Sequence, residues 1–153
     1  MTDTESLRLR TAGLFLLHAL GVACHIGVEA MFLPFKLDAL SETEAAEARA
    51  MLTAEWIGWA VAGLLTAVAL PPFLLLISES RPARWAAAVL GGLVVLMLAL
   101  DYVGHMVEGD VAGSLGALLT GTVPGVVAVL FALRYAGLRS ADEPSPSADE
   151  ALA

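Results

Sequence analysis

Ionisable side chains interrupt the apolar runs of this sequence, and their spacing places them on shared helical faces. His25 and Glu29 are four residues apart, and so are Asp101 and His105. Residues at this spacing lie one turn apart on the same side of an α-helix. A charged group inside a bilayer costs free energy unless it faces a partner or a cavity, so each pair marks a candidate functional site.

Other polar residues extend these faces. His18 shares the face of the first pair, and Glu108 shares that of the second. The second apolar run places Glu55 and Trp59 on one face near its start. With both termini inside, the 1.5 Å helical rise puts His25 roughly 12 Å and Asp101 about 10 Å below the outer surface. The polar faces of three helices are therefore predicted to meet in one pocket in the outer half of the bilayer.

Two kinds of chemistry suit this set of residues. The first is acid–base chemistry on a lipid, in which a carboxyl in a low-dielectric pocket holds a proton, a histidine exchanges it, and Trp59 contacts a cation through its ring. The second is metal binding, in which the two pairs provide the ligands of a zinc, copper or di-metal site, with Glu55 added. The predicted metal ligands are His25, Glu29, Asp101 and His105. A b-type haem held by His105 with His25 or His18 is a further alternative.

Composition indicates the elements that position these residues. The chain is 58% hydrophobic and only 16% charged, whereas soluble domains have about 25% charged residues. Its apolar residues form four runs, each at least as long as the roughly 20 residues that span a bilayer as a helix. The predicted fold is an all-α, four-helix membrane bundle. The predicted helices cover residues 11–33, 53–77, 83–107 and 111–135 of a membrane domain over residues 11–137.

The prolines and the polar segments between the apolar runs also predict local structure. Pro34 is expected to end the first helix, because proline cannot continue the backbone hydrogen bonds. An acidic connection over residues 35–52 is predicted to hold a short amphipathic helix over residues 42–51. Pro71 and Pro72 are expected to kink the second helix or end its regular part. The segment 1–10 is predicted to be a cytoplasmic N-terminus, and residues 138–153 a disordered cytoplasmic tail.

The sequence also excludes some partners. The net charge of −8 comes mainly from the loop and tail acids, which are typical of solvated segments. There is no basic patch for nucleic acid, and the single Cys24 cannot form an intrachain disulfide. The expected partners are the lipid bilayer, a hydrophobic small molecule and a second copy of the chain, and the leading hypothesis requires no cofactor.

Several of these segments, taken in order, resemble the EXPERA family, which includes the emopamil-binding sterol isomerase. The matching segments are His25-Ile-Gly-Val-Glu29, Glu55 at the start of the second helix, Arg81-Pro82-Ala83-Arg84, Asp101 with Glu108, and Val123-Pro124-Gly125-Val126. The likeness covers about residues 12–136.

This resemblance implies a membrane protein that binds or isomerises an isoprenoid or sterol-like lipid. Glu29 or Glu55 would donate a proton, His25 would shuttle it, and Asp101 would orient His25. The resemblance also places Thr120 at a position that lines the family's site, while Trp59, His105 and Glu108 would contact the ligand. The alternatives are an outer-facing metal or haem protein and an accessory subunit of a larger membrane complex.

Basic residues predict the orientation of the bundle. Arg8, Arg10, Arg81, Arg84, Arg134 and Arg139 fall on one side if both termini are cytoplasmic, as in a bacterial-type inner membrane, and only Lys36 and Arg49 fall outside. We expect reporter fusions to give a cytoplasmic signal at the C-terminus and an external signal at residue 42. A cytoplasmic signal at residue 42 would contradict this topology.

Overall fold

A computed structural model describes residues 2–52 and 54–138, without the side chains of residues 51 and 54–56. The side chain of Glu55 and nearly all of the predicted tail therefore lie outside the described residues. The helices are α1 (Asp3–Asp38), α2 (Glu42–Met51), α3 (Ala54–Ile77), α4 (Arg81–Glu108), α5 (Val111–Gly116) and α6 (Val123–Ala136), and a π-helical segment (Ala117–Thr122) joins α5 to α6.

The predicted all-α class is confirmed, with four helices long and apolar enough to cross a membrane. α1, α3 and α4 each provide one span, while α5, the π segment and α6 together form the fourth over Val111–Ala136. The extensively packed pairs are α1 with α3, α3 with α4, α4 with α6, and α6 with α1. This order places α1 and α4 at opposite corners of the bundle.

Polar side chains fix where the helices begin. The Thr2 hydroxyl accepts from the Glu5 N–H and starts α1 eight residues before the predicted position. Ser41 and Glu44 form a capping box at the start of α2, the short helix predicted over residues 42–51. The Ser80 hydroxyl caps α4 by accepting from the Ala83 N–H, and Asp110 caps α5 by accepting from the Gly113 N–H at 2.9 Å.

Proline did not end the first helix as we expected. α1 continues through Pro34 to Asp38, and α3 continues through Pro71 and Pro72 to Ile77. A proline deprives one carbonyl of its donor and strains the preceding turn. Membrane helices tolerate this loss where neighbouring helices or polar groups compensate for it. Pro71 and Pro72 are fully buried against the bundle.

Packing is tightest toward the cytoplasmic end under the predicted orientation. Phe15, Leu75, Ala88 and Tyr135 belong to a core cluster at that end. A second cluster of Val22, Val68, Val94 and Leu98 lies further along the helices. Leu64 and Ala67 of α3 pack against this second cluster, but none of the described residues 57–67 is fully buried.

The π segment brings the fourth span close to α1. Pro124 has no N–H, so it cannot donate to the Thr120 carbonyl as a regular helix would require. This carbonyl lies directly against Gly21 of α1, where any side chain would collide with it. The Thr120 hydroxyl donates to the Gly116 carbonyl at 2.7 Å. Such π insertions are frequent at functional sites.

The contact of Gly21 with the Thr120 carbonyl generates a stability prediction. Gly21→Ala should destabilise the bundle by about 1–3 kcal/mol, because the obstacle is backbone that cannot move aside. Gly27→Ala is the control, since no atom lies within 4 Å of its added methyl group. Thermal unfolding in mild detergent measures both. Equal melting temperatures for the two variants would contradict the close contact.

Candidate functional site

The polar residues predicted on α1 and α4 meet near one end of the bundle, which is the outer end under the predicted orientation. α1 contributes His25 and Glu29, and α4 contributes Asp101 and His105. His25 Nε2 lies 3.3 Å from Asp101 Oδ2, although the two helices occupy opposite corners. Of the three polar faces predicted to meet, those of α1 and α4 are in contact, while the Glu55 side chain of α3 lies outside the described residues.

Asp101 lies between the two histidines. Its Oδ2 is 3.9 Å from His105 Nε2 as well as 3.3 Å from His25 Nε2. The two imidazole rings are perpendicular, with centroids 6.0 Å apart. The His25 side chain is only 7% exposed, whereas that of Asp101 is 46% exposed. One oxygen thus faces both imidazoles while the carboxylate remains accessible from the side of the bundle.

A second group of charges lies directly beside the first. The Lys36 ammonium donates to Glu29 Oε2 at 2.8 Å and to Asp110 Oδ2 at 2.9 Å. His105 Nδ1 approaches Asp110 Oδ2 to 3.2 Å, but the ring is not aligned for a hydrogen bond. A continuous series of polar contacts therefore links His25 to Glu29 by way of α4 and the loop that follows it.

Asp110 is held as a carboxylate by its neighbours. The Gly113 N–H and then the Lys36 ammonium stabilise its charged form and lower its pKa from the ordinary 3.8 to about 2. The residue lies between the last two spans, where Gly109 ends α4 with φ 76°. Glycine is suited to this left-handed conformation. Asp110 thus combines helix capping with the placement of Lys36.

Glycines on the fourth span make room for both imidazoles. A methyl group on Gly113 would lie 2.5 Å from His105 Nδ1 and 2.6 Å from Asp110 Oδ2. A methyl group on Gly116 would lie 3.1 Å from His25 Nδ1. The glycines of this span indicated close helix packing. In the structure the space beside Gly113 is occupied by His105 and Asp110, and the space beside Gly116 by His25.

Three potential ligand groups converge within this site. One donor atom each from His25, Glu29 and His105 lie within 4.8 Å of one another. These are three of the four residues predicted as metal ligands, and the fourth, Asp101, contacts both histidines. The geometry can accommodate a cation between α1 and α4.

Other predicted residues lie apart from this group. Trp59 is 74% exposed on α3, and Glu108 is exposed at the end of α4. Thr120 is half-buried in the π segment with its hydroxyl bonded to Gly116. His18 is buried deeper in the bundle, where it lies near the Gly121 backbone without a hydrogen-bonding geometry at either nitrogen.

Sequence reasoning missed Lys36 and Asp110. From the sequence, we counted Lys36 only as an outer basic residue and gave Asp110 no role. A signal was present, because Lys36 follows Glu29 by seven residues, which is two turns on the same helical face. It is also the only lysine in the chain.

An apolar groove of about 530 Å³ lies elsewhere on the bundle. Leu16 of α1 and Leu65, Leu70 and Phe73 of α3 are among its lining residues. Leu16 is nine residues before His25, or about 14 Å along α1. The groove and the polar site are therefore at different depths.

Comparison with protein-family models, with curated proteins and with solved structures found no match for this chain. The resemblance to the EXPERA family consequently stays a prediction.

The low pKa of Asp110 predicts an acid-sensitive stability. A carboxyl whose folded pKa lies below its unfolded pKa stabilises the fold above the unfolded value, and that contribution is lost as pH falls from about 4 toward 2. The melting temperature of the wild type should therefore fall over this range. Asp110→Asn should be less stable at neutral pH and should lose less on acidification. Parallel curves for the two proteins would contradict this role.

Proposed function

We propose that the outer end of this membrane bundle binds a divalent transition-metal ion through His25, Glu29 and His105. The observation that carries the proposal is the convergence of their donor atoms within 4.8 Å. Metal–ligand bonds are about 2.0–2.2 Å long, so the ligand atoms of a tetrahedral ion lie about 3.4 Å apart. Binding would therefore draw the most distant of these donor atoms together by up to about 1.4 Å.

The donor set indicates the class of metal. Two imidazole nitrogens and one carboxylate oxygen suit zinc and other divalent first-row ions, including iron. Three protein ligands leave at least one coordination position for water or a substrate. We take Zn²⁺ as the reference ion, because it adapts readily to such a set of ligands.

The surrounding charges favour a cation. Glu29, Asp101 and Asp110 contribute three carboxylates, and Lys36 is the one cationic side chain that the structure pairs with this cluster. With neutral histidines the cluster has an excess of negative charge, which raises the local concentration of cations. Asp101 can accept a hydrogen bond from His25 and so fix the orientation of the ring.

The ion pair of Glu29 also bears on the acid–base hypothesis. We expected Glu29 to hold a proton only if it was unpaired in the membrane. In the structure Glu29 is paired, because the Lys36 ammonium donates to its Oε2 at 2.8 Å. The condition of an unpaired carboxyl, on which that hypothesis depended, is therefore not met at Glu29.

Zinc binding tests the proposal. The purified wild type should bind about one Zn²⁺ per chain, and a chelator should lower its melting temperature because the ion stabilises only the folded state. Loss of a residue that hydrogen-bonds to a metal ligand typically weakens metal affinity about 10–100-fold. Glu29→Gln and His105→Ala remove ligands themselves, so they should weaken zinc binding by at least this much. Titration calorimetry and elemental analysis provide the measurements.

Glu108→Gln is the matched control for this experiment. Glu108 lies three residues from His105 but is exposed at the helix end, so its loss should leave zinc affinity unchanged. A wild type without zinc affinity, or ligand variants that bind zinc as well as the control does, would exclude the proposed site.

We propose lipid binding of the EXPERA type as the second candidate function. It is supported by the pairing of His25 with Asp101 and by the 46% exposure of the Asp101 side chain. In this proposal an isoprenoid or sterol-like ligand enters from the bilayer, His25 exchanges protons, and Glu29 or Glu55 is the acid. A lipid that co-purifies with metal-free wild type, and is lost in His25→Ala, would favour this function over metal binding.

A further inference from the structure

Lys36 has an unusual position among the basic residues of this chain. It is the only lysine, whereas every other basic residue in the sequence is arginine. Its ammonium lies between two carboxylates from different elements, 2.8 Å from Glu29 Oε2 and 2.9 Å from Asp110 Oδ2. These two contacts link the outer end of α1 to the start of α5.

The chemistry of lysine matches this position. An ammonium is a compact point charge on a flexible four-carbon chain, whereas a guanidinium is a planar fork suited to a bidentate pair with one carboxylate. A compact charge shared by two carboxylates resembles a bound monovalent ion. The Lys36 ammonium is therefore a covalently attached cation in a position where the carboxylates would also attract a free cation.

Glu29 belongs to both arrangements. Its carboxylate pairs with Lys36, and it is also one of the three groups that converge with His25 and His105. A divalent ion on Glu29 would neutralise the charge that holds Lys36 and would repel the ammonium directly. The side chain of Lys36 is 45% exposed, so it has a path out to the aqueous surface.

We infer that Lys36 is an internal competitor of the metal, and that divalent ion binding displaces its ammonium from Glu29. This inference rests on the proposed function. Metal binding and release of Lys36 are then one event, and the ion pairs of the metal-free state set the affinity of the site. Asp110 keeps its hydrogen bond from Gly113 throughout, so the start of α5 remains fixed.

Zn²⁺ affinity of Lys36 variants tests the competition. Lys36→Met keeps the length of the side chain but removes its charge, so it should bind Zn²⁺ about tenfold more tightly than the wild type. Lys36→Arg retains a cation and should bind no more tightly than the wild type. Arg49→Met controls for the general loss of outer positive charge, because Arg49 lies on α2 and is paired, among the described residues, with Asp38 at 4.0 Å. It should stay within about twofold of the wild type, since exposed pairs contribute little.

Amine labelling provides a second measurement, whose main comparison uses only the wild type, with and without Zn²⁺. The one lysine allows its modification to be followed on a single peptide, apart from the N-terminal amine. Labelling of Lys36 should become faster when Zn²⁺ is added, because the ammonium is no longer held between two carboxylates. The increase should be absent in Glu29→Gln, which lacks the shared carboxylate.

The possible failures are distinguishable. If no variant binds Zn²⁺, the proposed function is wrong and this inference falls with it. If the wild type binds Zn²⁺ but Lys36→Met binds it equally, or Lys36 labelling does not respond to the ion, the metal site stands and the competition is excluded.

Discussion

Imidazoles and carboxylates in the hydrocarbon layer must find partners within the protein, because water is not available there to solvate them. In this chain the requirement is met across the bundle, where His25 of α1 and Asp101 of α4 approach to 3.3 Å. Each would be costly alone on its helix, and together they favour the arrangement that brings the two corners of the bundle together at this depth. The contact thus constrains the orientation of both helices at their outer ends.

Small residues make this arrangement compatible with close packing. Helices in a membrane gain no hydrophobic free energy from association, so their contacts depend on fit. Gly21 admits the Thr120 carbonyl that Pro124 leaves without its regular donor, and Gly113 and Gly116 admit the two imidazoles. The π segment joins these features, since it is bounded by Gly116 on one side and precedes Pro124 on the other. The glycines of the fourth span therefore leave room for the two imidazoles, and its π segment brings the Thr120 carbonyl against α1.

Much of this could be predicted from sequence, for identifiable reasons. Length and apolar composition predict four spans, and helical periodicity brings His25, Glu29, Asp101 and His105 to shared faces at one depth. Periodicity and the presence of a proline did not predict where the first helix ends, because α1 continues past the exposed Pro34 to Asp38. Periodicity also does not predict partners contributed by loops. The position of Asp110 depends on the left-handed turn at Gly109 and on the cap it provides to α5, which only the folded chain defines.

The distribution of packing in the bundle suits a binding site at its outer end. At the end that is cytoplasmic under the predicted orientation, Phe15 and Tyr135 are fully buried, and all four spans contribute to one core cluster. At the opposite end none of residues 57–67 of α3 is buried, and α1 is joined to α4 by the His25–Asp101 contact and to the start of α5 by the Lys36–Asp110 contact. Polar contacts can be exchanged for others of similar strength, as when an ammonium is replaced by a metal ion, whereas a packed apolar core must be opened to change. The tight end fixes the register of the helices, and the polar end retains the freedom to bind a ligand.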